Sequence, residues 1–402
     1  MSNNSNRYNF LKVAVVIATV IAIQSCVVMA QTESAAMRRF KTQGLKYERD
    51  NEFYSKFMFS PAEGLGLEEK VSRRDPTGVI KVGNLYYVWF TRPPTGQPVV
   101  GLEKATDTLR AYPWDLADLW YATSPDGKNW TEQGVAVRRG PKGSYDARCI
   151  YTPDVLVANG RYYLFYQASA DLSQGVSGWD FKDNVIGMSW ADSPNGPWTK
   201  APEPILKTGP QGEFDCKHVH DPTLIVREGK YWLYYKGTPG GPVRPGDREG
   251  PHKRDKKWGV IIAWGVAVAD KPEGPYVKSK LNPVICGGHE CIVWPYRKGV
   301  CALLVQGPER NSLQFAEDGL NFVPKAHGLN VPRAAGVYRV GNFTDTNKMP
   351  GQGITWGLCH TSGPIGRNRW NYLMRFDCDL SLKRGDKIRK QNEETQKWLN
   401  AQ

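Results

Sequence analysis

Long apolar runs are scarce in this 402-residue chain. Beyond residue 30 no stretch approaches the roughly 20 apolar residues that a membrane-spanning helix needs. The chain also lacks a long run of lysine and arginine, although it carries 53 basic and 40 acidic side chains. A net charge of +13 affects mainly solubility and weak attraction for anions. The sequence therefore predicts a protein without a transmembrane segment and without a nucleic-acid partner.

Cysteine pairs with a chemical signature are missing as well. The sequence contains no Cys-x-x-Cys pair, and no close pair of ligands stands at a spacing that recurs in zinc sites. Seven of the eight cysteines lie beyond Cys26, in strand-like segments, which favours buried free thiols. A disulfide between Cys286 and Cys291 remains an alternative after export. We therefore expect that no metal or other cofactor is required.

Residues 1–30 have the pattern of an export signal. Basic residues precede the apolar stretch at 13–23, which is too short to span a bilayer comfortably. Two processing routes remain open, because residues 28–30 form a small-residue cleavage site and residues 23–26 resemble a lipobox. We predict export to the periplasm or the medium, as a cleaved protein or as a lipoprotein anchored at Cys26.

An internal repeat organises most of the remaining chain. Each copy contains an acidic residue, an apolar strand, a turn with glycine and an aromatic strand, a pattern that predicts a β-hairpin. The copies lie at 73–92, 151–169, 219–237 and 287–307, with a degenerate fifth at 334–361. A second signature predicts another hairpin after each clear copy, through Asp-Gly or Asn-Gly turn chemistry followed by an aromatic residue. It occurs at 122–130, 191–198, 269–276 and 316–322.

Two hairpins make four strands, which is the content of one propeller blade. Four clear copies and one degenerate copy therefore predict an all-β fold, a five-bladed β-propeller at 61–382. No 3.6-residue apolar period interrupts residues 73–380. Residues 31–60 are predicted to form a helical arm before the propeller, and residues 383–402 a short charged tail after it.

The repeat also predicts a polar ring around the propeller axis, because equivalent positions on the innermost strands converge on one face. The acidic residues aligned at the blade entrances are Asp75, Asp154, Asp221 and Glu290. The ends of the neighbouring strands reach the same face and hold Thr91, Gln167, Lys236, Gln306 and His360. We interpret the strand-end residues as candidate substrate-binding groups, together with Asp154, the weakest member of the acidic set.

Clustered carboxylates repel one another, which raises the pKa of at least one of them. One acid then stays protonated beside ionised neighbours, the condition for a general acid and a general base on opposite sides of a glycosidic bond. Other interpretations remain open. Asp-Pro is common where a turn enters a strand, a carboxylate ring can hold a structural divalent cation, and His220 and His289 can be structural histidines.

These motifs resemble glycoside hydrolase family 117, the α-1,3-L-neoagarooligosaccharide hydrolases, within the glycoside hydrolase 43-like propellers. The resemblance extends over residues 33–380. It rests on Arg-Arg-Asp-Pro-Thr at 73–77, His-Asp-Pro-Thr-Leu-Ile at 220–225, Gly-Gly-His-Glu-Cys at 287–291 and the pattern Ser-x-Ala-x-x-Arg at 34–39.

The resemblance implies an exo-acting, inverting hydrolase that releases 3,6-anhydro-L-galactose from the non-reducing end of neoagarooligosaccharides. Asp75 is then the general base, and Asp221 orients the substrate or tunes the pKa values of its neighbours. The proton donor is either His289 or Glu290. The segment at 34–39 corresponds to an N-terminal arm that family members exchange between the subunits of a homodimer.

Two other functions remain open. A related propeller glycosidase would act on another glycan, as an α-L-arabinofuranosidase, a β-xylosidase or a carrageenan-directed enzyme. A sugar-binding propeller without catalysis would tend to repeat its site in every blade, whereas the strand-end residues here differ between blades. In the predicted insertions, Trp114 and Trp179 are candidates for stacking on sugar rings. The basic stretch at 252–257 is either a solvated loop or an attractor for an anionic or sulfated glycan.

Overall fold

The computed structural model describes residues 32–42, 52–172, 181–182, 184–239, 262–339, 351–363 and 370–380, with residues 393, 396, 397 and 400. Several predictions concern residues outside these ranges: the export signal with Cys26, Trp179, the basic stretch at 252–257 and almost all of the tail. Within the described ranges, no helix has the length and apolarity needed to cross a membrane.

The described chain begins with one helix and one strand, which are α1 (Ala35–Thr42) and β1 (Met58–Pro61). Blade I contains β2 (Ile80–Val82), β3 (Leu85–Arg92), β4 (Asp118–Ser124) and β5 (Thr131–Val137). A short 3₁₀ turn (Leu102–Lys104) lies in the connection between β3 and β4. Blade II contains β6 (Cys149–Ala158), β7 (Arg161–Ser169), β10 (Val185–Ala191) and β11 (Thr199–Lys200). A small ribbon, β8 (Asp171–Leu172) with β9 (Phe181–Lys182), lies between β7 and β10 in the chain.

Blade III contains β12 (His218–Arg227), β13 (Lys230–Thr238), β14 (Ala263–Ala269) and β15 (Val277–Lys278), and β16 (Ile285–Cys286) also pairs with β14. Blade IV contains β17 (Ile292–Arg297), β18 (Gly299–Leu304), β19 (Ser312–Ala316) and β20 (Val323–His327), and β22 (Gly351–Gln352) pairs with β17. Blade V contains β21 (Gly336–Val337), β23 (Trp356–Ser362) and β24 (Asn371–Asp377). These sheets confirm the predicted five-bladed propeller.

Blade V is completed by the N-terminal part of the chain. Strand β1 pairs antiparallel with β24, with Met58 opposite Asp377 and Pro61 opposite Met374. The predicted helical arm at 31–60 therefore contains a helix at 35–42 and ends in a propeller strand. The sequence gives no strand signal here, because the four residues of β1 do not alternate between buried and exposed side chains.

The predicted hairpins depend on turns that match the twist of their strands. Strands β6 and β7 are joined by Asn159 and Gly160, which have φ values of 51° and 72°. Strands β12 and β13 are joined by Glu228 and Gly229, with φ values of 54° and 71°. Two consecutive positive φ values define the two-residue turn that fits a right-twisted hairpin.

The cores lie between neighbouring blades, where the aromatic strands of the repeat meet. Trp89, Phe165 and Tyr234 are fully buried, and each such side chain contributes roughly 1.5–3 kcal/mol through removal of apolar surface from water. Cys149, Cys286, Cys291, Cys301 and Cys359 are buried free thiols, so no disulfide joins Cys286 to Cys291.

Candidate active site

Each blade has the same backbone kink at the start of its innermost strand or just before it. The residue at this kink has a φ between 42° and 59° in every blade, a conformation that is uncommon for residues other than glycine. These residues are Asp75, Thr152, Asp221, Glu290 and Ala334. Backbone strain of this kind clusters at active sites. The face shared by these five residues is therefore the candidate site.

Asp154 is not equivalent to the other three carboxylates, so the predicted alignment was wrong in blade II. The kinked residue of this blade is Thr152, and Asp154 lies two residues further along β6. Thr223 holds the matching position after Asp221 in blade III, since both blades resume regular pairing there. Blade II has Thr-Pro-Asp, in which the aspartate follows the proline, whereas blade III has Asp-Pro-Thr, in which it precedes the proline. The repeat pattern requires only an acidic residue near the start of the strand, so it treats both orders alike.

Asp154 instead connects the innermost strands of several blades. Its carboxylate accepts hydrogen bonds from Arg339 Nη2 at 2.5 and 2.6 Å, from Leu224 N–H at 2.8 Å and from Gly78 N–H at 3.3 Å. Asp154 and Arg339 are both buried, so this ion pair lies inside the propeller. The substrate-binding role of Asp154 stays a prediction, and the partners found for its carboxylate are protein groups.

Gln306 is displaced by one residue from its predicted position. The pairing of β17 with β18 puts Val305 at the place that Lys236 has in blade III. The carbonyl of Gln306 accepts a hydrogen bond from Gly288 N–H at 2.8 Å. Successive side chains in a strand point to opposite faces, so Gln306 and Val305 point to different sides. The prediction that Gln306 is equivalent to Lys236 was therefore wrong, and Val305 has that position in blade IV.

Asp75 lies buried at the entrance of blade I between Arg74 and His360. Its Oδ2 is 3.2 Å from Arg74 Nε, its Oδ1 is 3.0 Å from His360 Nδ1, and its backbone N–H donates to the same histidine nitrogen at 3.2 Å. Burial alone would raise the pKa of Asp75. The charge of Arg74 and the contact with His360 outweigh burial and hold that pKa below its ordinary value of 3.8. Asp75 is therefore an ionised carboxylate that can accept a proton.

Glu290 and His289 form a pair at the entrance of blade IV. Glu290 Oε1 lies 3.3 Å from His289 Nδ1. Burial would raise the pKa of Glu290, but the charge and hydrogen bond of His289, helped by His360 and Arg74, lower it well below 4.5. The His289 side chain is 34% exposed and the Glu290 side chain 8%. Glu290 is thus held as a carboxylate, and His289 is the partner that a ligand can reach.

The expected rise in pKa from clustered carboxylates is not found for Asp75 or Glu290. Repulsion between carboxylates is one influence on a pKa, and nearby positive charge acts in the opposite direction. Arg74 lies among the acidic residues and lowers the pKa values of both Asp75 and Glu290. Acid and base therefore cannot be assigned here by asking which carboxyl group stays protonated.

Asp221 forms a buried ion pair with Lys236, through Oδ2 and Nζ. His220 precedes it in β12, and His220 Nε2 lies 3.0 Å from Thr238 Oγ1. Burial and the charge of Lys236 lower the pKa of His220 well below 6.5. His220 is therefore a neutral imidazole at physiological pH, which favours the structural interpretation of this residue.

Thr91 and Gln167, two predicted substrate-binding residues, make contacts within the protein. Thr91 Oγ1 accepts a hydrogen bond from Thr152 N–H at 2.8 Å, which fixes the kink of blade II. Gln167 Nε2 donates to the hydroxyl of Tyr151 at 2.5 Å, and that hydroxyl donates to Asn184 Oδ1 at 3.3 Å. Both residues are buried, so they shape the wall of the site. Their binding of substrate stays a prediction.

An axial cavity lies among the innermost strands. Its lining includes Asp75, Asp221, Glu290 and Trp264. Asp75, Glu290 and His360 each offer one donor atom within 4.8 Å of the others, and carboxylate oxygens with an imidazole nitrogen are donor types of zinc and transition-metal sites. Arg74 opposes this use, because its guanidinium already neutralises Asp75 at 3.2 Å.

The insertion between β3 and β4 places an aromatic surface beside Arg74. The Arg74 guanidinium lies 5.0 Å from the ring centroid of Trp114, and Tyr112 stacks on Trp114 with centroids 5.6 Å apart. Arg148 holds the insertion through a buried ion pair with Asp115 and donates to loop carbonyls. The predicted stacking residue Trp114 therefore stands on a fixed loop next to a neighbour of Asp75.

Three residues that contact the site were missed by sequence reasoning. Arg74 stands directly before Asp75, so its adjacency was a readable signal. Trp264 donates from Nε1 to the carbonyl of Gly288 at 2.9 Å and fixes the turn before His289. Arg339 reaches Asp154 from 185 residues away, and no local pattern indicates such a contact.

Comparison with known proteins agrees with this geometry. A sequence model described as glycosyl hydrolases family 43 matches residues 70–240. The chain is similar to the xylosidase/arabinosidase 43A of Humicola insolens, at 30% identity over 96 residues, which is 24% of each chain. The match thus spans about a quarter of that curated relative. A family 43 β-xylosidase/α-arabinofuranosidase from a compost microbial metagenome shares the fold, at 16% identity over 79% of this chain and 94% of the other, with a TM-score of 0.51.

A solved structure with much higher identity is Zg3597, a family 117 glycoside hydrolase produced by the marine bacterium Zobellia galactanivorans. The two chains are 38% identical, with a TM-score of 0.72, and the match covers 83% of this chain and 93% of the other. Identity at this level over most of both chains, together with the five blades, shows common family membership. The chain belongs to glycoside hydrolase family 117, within the glycoside hydrolase 43-like propellers.

Proposed function

We propose that this glycosidase is an exo-acting, inverting hydrolase that cleaves the terminal α-1,3 bond of neoagarooligosaccharides and releases 3,6-anhydro-L-galactose. The observation that carries the proposal is the ionised Asp75 in the same ring as the His289–Glu290 pair. Family 117 membership supports the choice of substrate. The differing strand-end residues of the five blades support a single asymmetric pocket on the axis.

His289 is the proton donor in this proposal. Oxygens of Asp75 and Glu290 lie within 4.8 Å of each other, whereas inverting enzymes hold their two catalytic carboxyl groups about 6.5–9.5 Å apart to admit a water. Glu290 also has a strongly lowered pKa and carries no proton to donate. Its carboxylate lies 3.3 Å from Nδ1 of His289 and orients the imidazole, and histidine is the side chain that most often acts as a general acid or base.

The reaction then needs one water molecule and two proton transfers. Asp75 takes a proton from water as the water oxygen bonds to the anomeric carbon. The glycosidic bond breaks on the opposite face of the ring, and His289 gives its proton to the leaving oxygen. Asp221, with Lys236 beside it, orients the hydroxyl groups of the terminal sugar. Attack opposite to the leaving group inverts the anomeric configuration.

The test is incubation of the purified protein with neoagarobiose, neoagarotetraose and a panel of aryl arabinosides and xylosides, with products read by mass spectrometry. Release of one anhydrogalactose unit from the agar sugars supports the proposal, and NMR of the first-formed anomer tests inversion. Cleavage confined to the arabinosides or xylosides would move the activity to another glycan. No turnover of any sugar, with binding retained, would favour a sugar-binding propeller.

We also propose that the protein is exported and forms a homodimer through its N-terminal arm. The signal pattern at 1–30 and the Ser-x-Ala-x-x-Arg segment at 34–39 support these two proposals. Cell fractionation with mass spectrometry of the mature N-terminus would test export and lipidation. Light scattering of the full chain and of a variant lacking residues 31–45 would test the dimer, because a dimer that depends on the arm should become monomeric without it.

A further inference from the structure

The arm helix α1 ends in contacts with the segment that leads to His289. Ser34 caps the helix by accepting a hydrogen bond from Met37 N–H at 3.2 Å, and its hydroxyl donates to the carbonyl of Pro283 at 2.7 Å. Ala36 is fully buried against the propeller, where a larger side chain would not fit without displacement. Two fixed positions of the Ser-x-Ala-x-x-Arg pattern are thus explained by docking of the arm.

The middle of α1 covers strand β16. Met37 Sδ lies 3.0 Å from the thiol of Cys286, and both side chains are buried. Cys286 is the last residue of β16, and Gly287, Gly288 and then His289 follow it directly. The strand that the arm covers therefore ends only three residues before His289, the proposed proton donor.

Arg39, the last fixed position of the pattern, reaches the other side of the same turn. Its guanidinium contacts Glu309 at 3.1 Å (Nε to Oε1) and 3.3 Å (Nη2 to Oε2) and donates to the carbonyl of Phe322 at 2.5 Å. Glu309 is buried and accepts a further hydrogen bond from Gln314 Nε2 at 2.5 Å. Arg39 is therefore the cationic partner of a buried carboxylate that would otherwise be left unpaired.

The segment before Glu309 is locked to the segment before His289. Gly288 N–H donates to the carbonyl of Gln306 at 2.8 Å. A Cβ added to Gly307 would stand 2.8 Å from the Cα of Gly287, so the two backbones touch. Trp264 Nε1 holds the carbonyl of Gly288 at 2.9 Å from the opposite side. These contacts hold the turn at 287–288 in place. Helix α1 contacts two segments beside this turn, at Cys286 and at Glu309.

We propose that the arm, residues 32–42, positions the His289–Glu290 pair for catalysis, with Arg39 as a positioning residue that acts through Glu309. The proposal rests on the proposed role of His289. Arg39 contacts no substrate in this proposal. A loosened arm lets segments 286–289 and 306–309 shift together, so His289 loses its alignment with the leaving oxygen while the rest of the pocket still binds the sugar.

The test compares full-length Arg39→Ala, Arg39→Lys and Arg38→Ala. Arg38 is exposed on the same helix and contacts the carbonyl of Glu33, so it is the matched control. With the sugar that the wild type hydrolyses, Arg39→Ala should lower kcat about tenfold to a hundredfold with KM nearly unchanged, the size expected for misplaced catalytic groups. Arg39→Lys should recover part of the loss, and Arg38→Ala should match the wild type.

A second readout does not depend on activity. Hydrogen exchange of the amides at 286–290 should be faster in Arg39→Ala than in Arg38→Ala, while exchange in blade I stays the same. Normal exchange together with normal kcat in folded Arg39→Ala would overturn the proposal, even if the variant melts at a lower temperature. If the wild type hydrolyses no sugar of the panel, the proposed function fails, and faster exchange at 286–290 would still show that the arm holds this segment.

Discussion

Glu290 Oε1 lies 3.3 Å from Nδ1 of His289, the residue that precedes it in the chain. The two side chains differ in accessibility, since Glu290 is nearly buried and has a lowered pKa, whereas His289 is one-third exposed. A carboxylate in this position orients the imidazole. The pair resembles the base–orienter relationship of other acid–base sites, with the carboxylate supporting the group that transfers the proton.

We predict that Asp75→Asn abolishes turnover and retains substrate binding. The amide keeps the shape of the side chain but cannot take a proton from water, so kcat should fall about 10²–10⁴-fold. Isothermal titration with the intact sugar should give a dissociation constant close to that of the wild type. Asp107→Asn is the control, because Asp107 is 88% exposed. Turnover by Asp75→Asn at the wild-type rate would remove Asp75 as the base.

We predict that His289→Ala loses most activity on substrates whose leaving group must be protonated. Hydrolysis of a natural sugar should fall about 10²–10⁴-fold, since its alcohol leaves poorly without a proton. An aryl glycoside with a strongly acidic phenol should be much less affected, and kinetics across a series of phenols measures the difference. Glu290→Gln is the comparison. A leaving-group dependence that appears in Glu290→Gln and is absent from His289→Ala would make Glu290 the donor.

We predict that acid weakens the fold through Glu290. The pKa of this group is lower in the folded protein than its ordinary value of 4.5, so the ionised form stabilises the native state. This contribution is complete above pH 4.5 and is lost as pH falls toward the native pKa, because the unfolded chain binds the proton more readily. Urea unfolding at several pH values should show a shallower loss below pH 4.5 in Glu290→Gln. An identical slope in the variant would contradict the prediction.

We predict that the Asp154–Arg339 pair stabilises the propeller axis. Arg339→Met leaves the buried Asp154 carboxylate without its cation, which typically costs about 3–5 kcal/mol of unfolding free energy. The double variant Asp154→Leu/Arg339→Met should recover much of that loss, because it removes both charges. Arg161→Ala breaks an exposed pair with Asp192 and should cost about 0–1 kcal/mol. Equal effects of Arg339→Met and Arg161→Ala in urea titrations would refute the assignment.

We predict that Trp114 stacks on the sugar next to the cleaved bond. Trp114→Ala should raise KM about tenfold, the effect of losing about 1.4 kcal/mol of binding energy, and Trp114→Phe should lie near the wild type because it keeps a flat ring. Steady-state kinetics on neoagarobiose and neoagarotetraose measures both variants. An unchanged KM in Trp114→Ala, with Tyr112 still in place, would show that this surface does not contact substrate.

The internal repeat alone predicts the five-bladed propeller. Its hairpins, turn residues and aromatic strands are local patterns, and local patterns can be read along a chain. The same repeat identified Asp75, Asp221 and Glu290, which share one backbone kink in three blades. The repeat pattern misplaced Asp154 by two residues and Gln306 by one, because the pattern tolerates small offsets and only the pairing of the strands fixes the register.

The charged partners of each acidic residue are set by tertiary contacts. Asp154 meets Arg339 across the axis, and Arg74 lowers the pKa values of Asp75 and Glu290 against the repulsion expected from sequence. Strand β1 closes the last blade, and α1 docks beside the turn that leads to His289. Local patterns in the chain predict the propeller and the ring positions of Asp75, Asp221 and Glu290, because periodicity and turns are local. Charge balance, closure and the placement of the arm depend on contacts between distant residues, which only folding brings together.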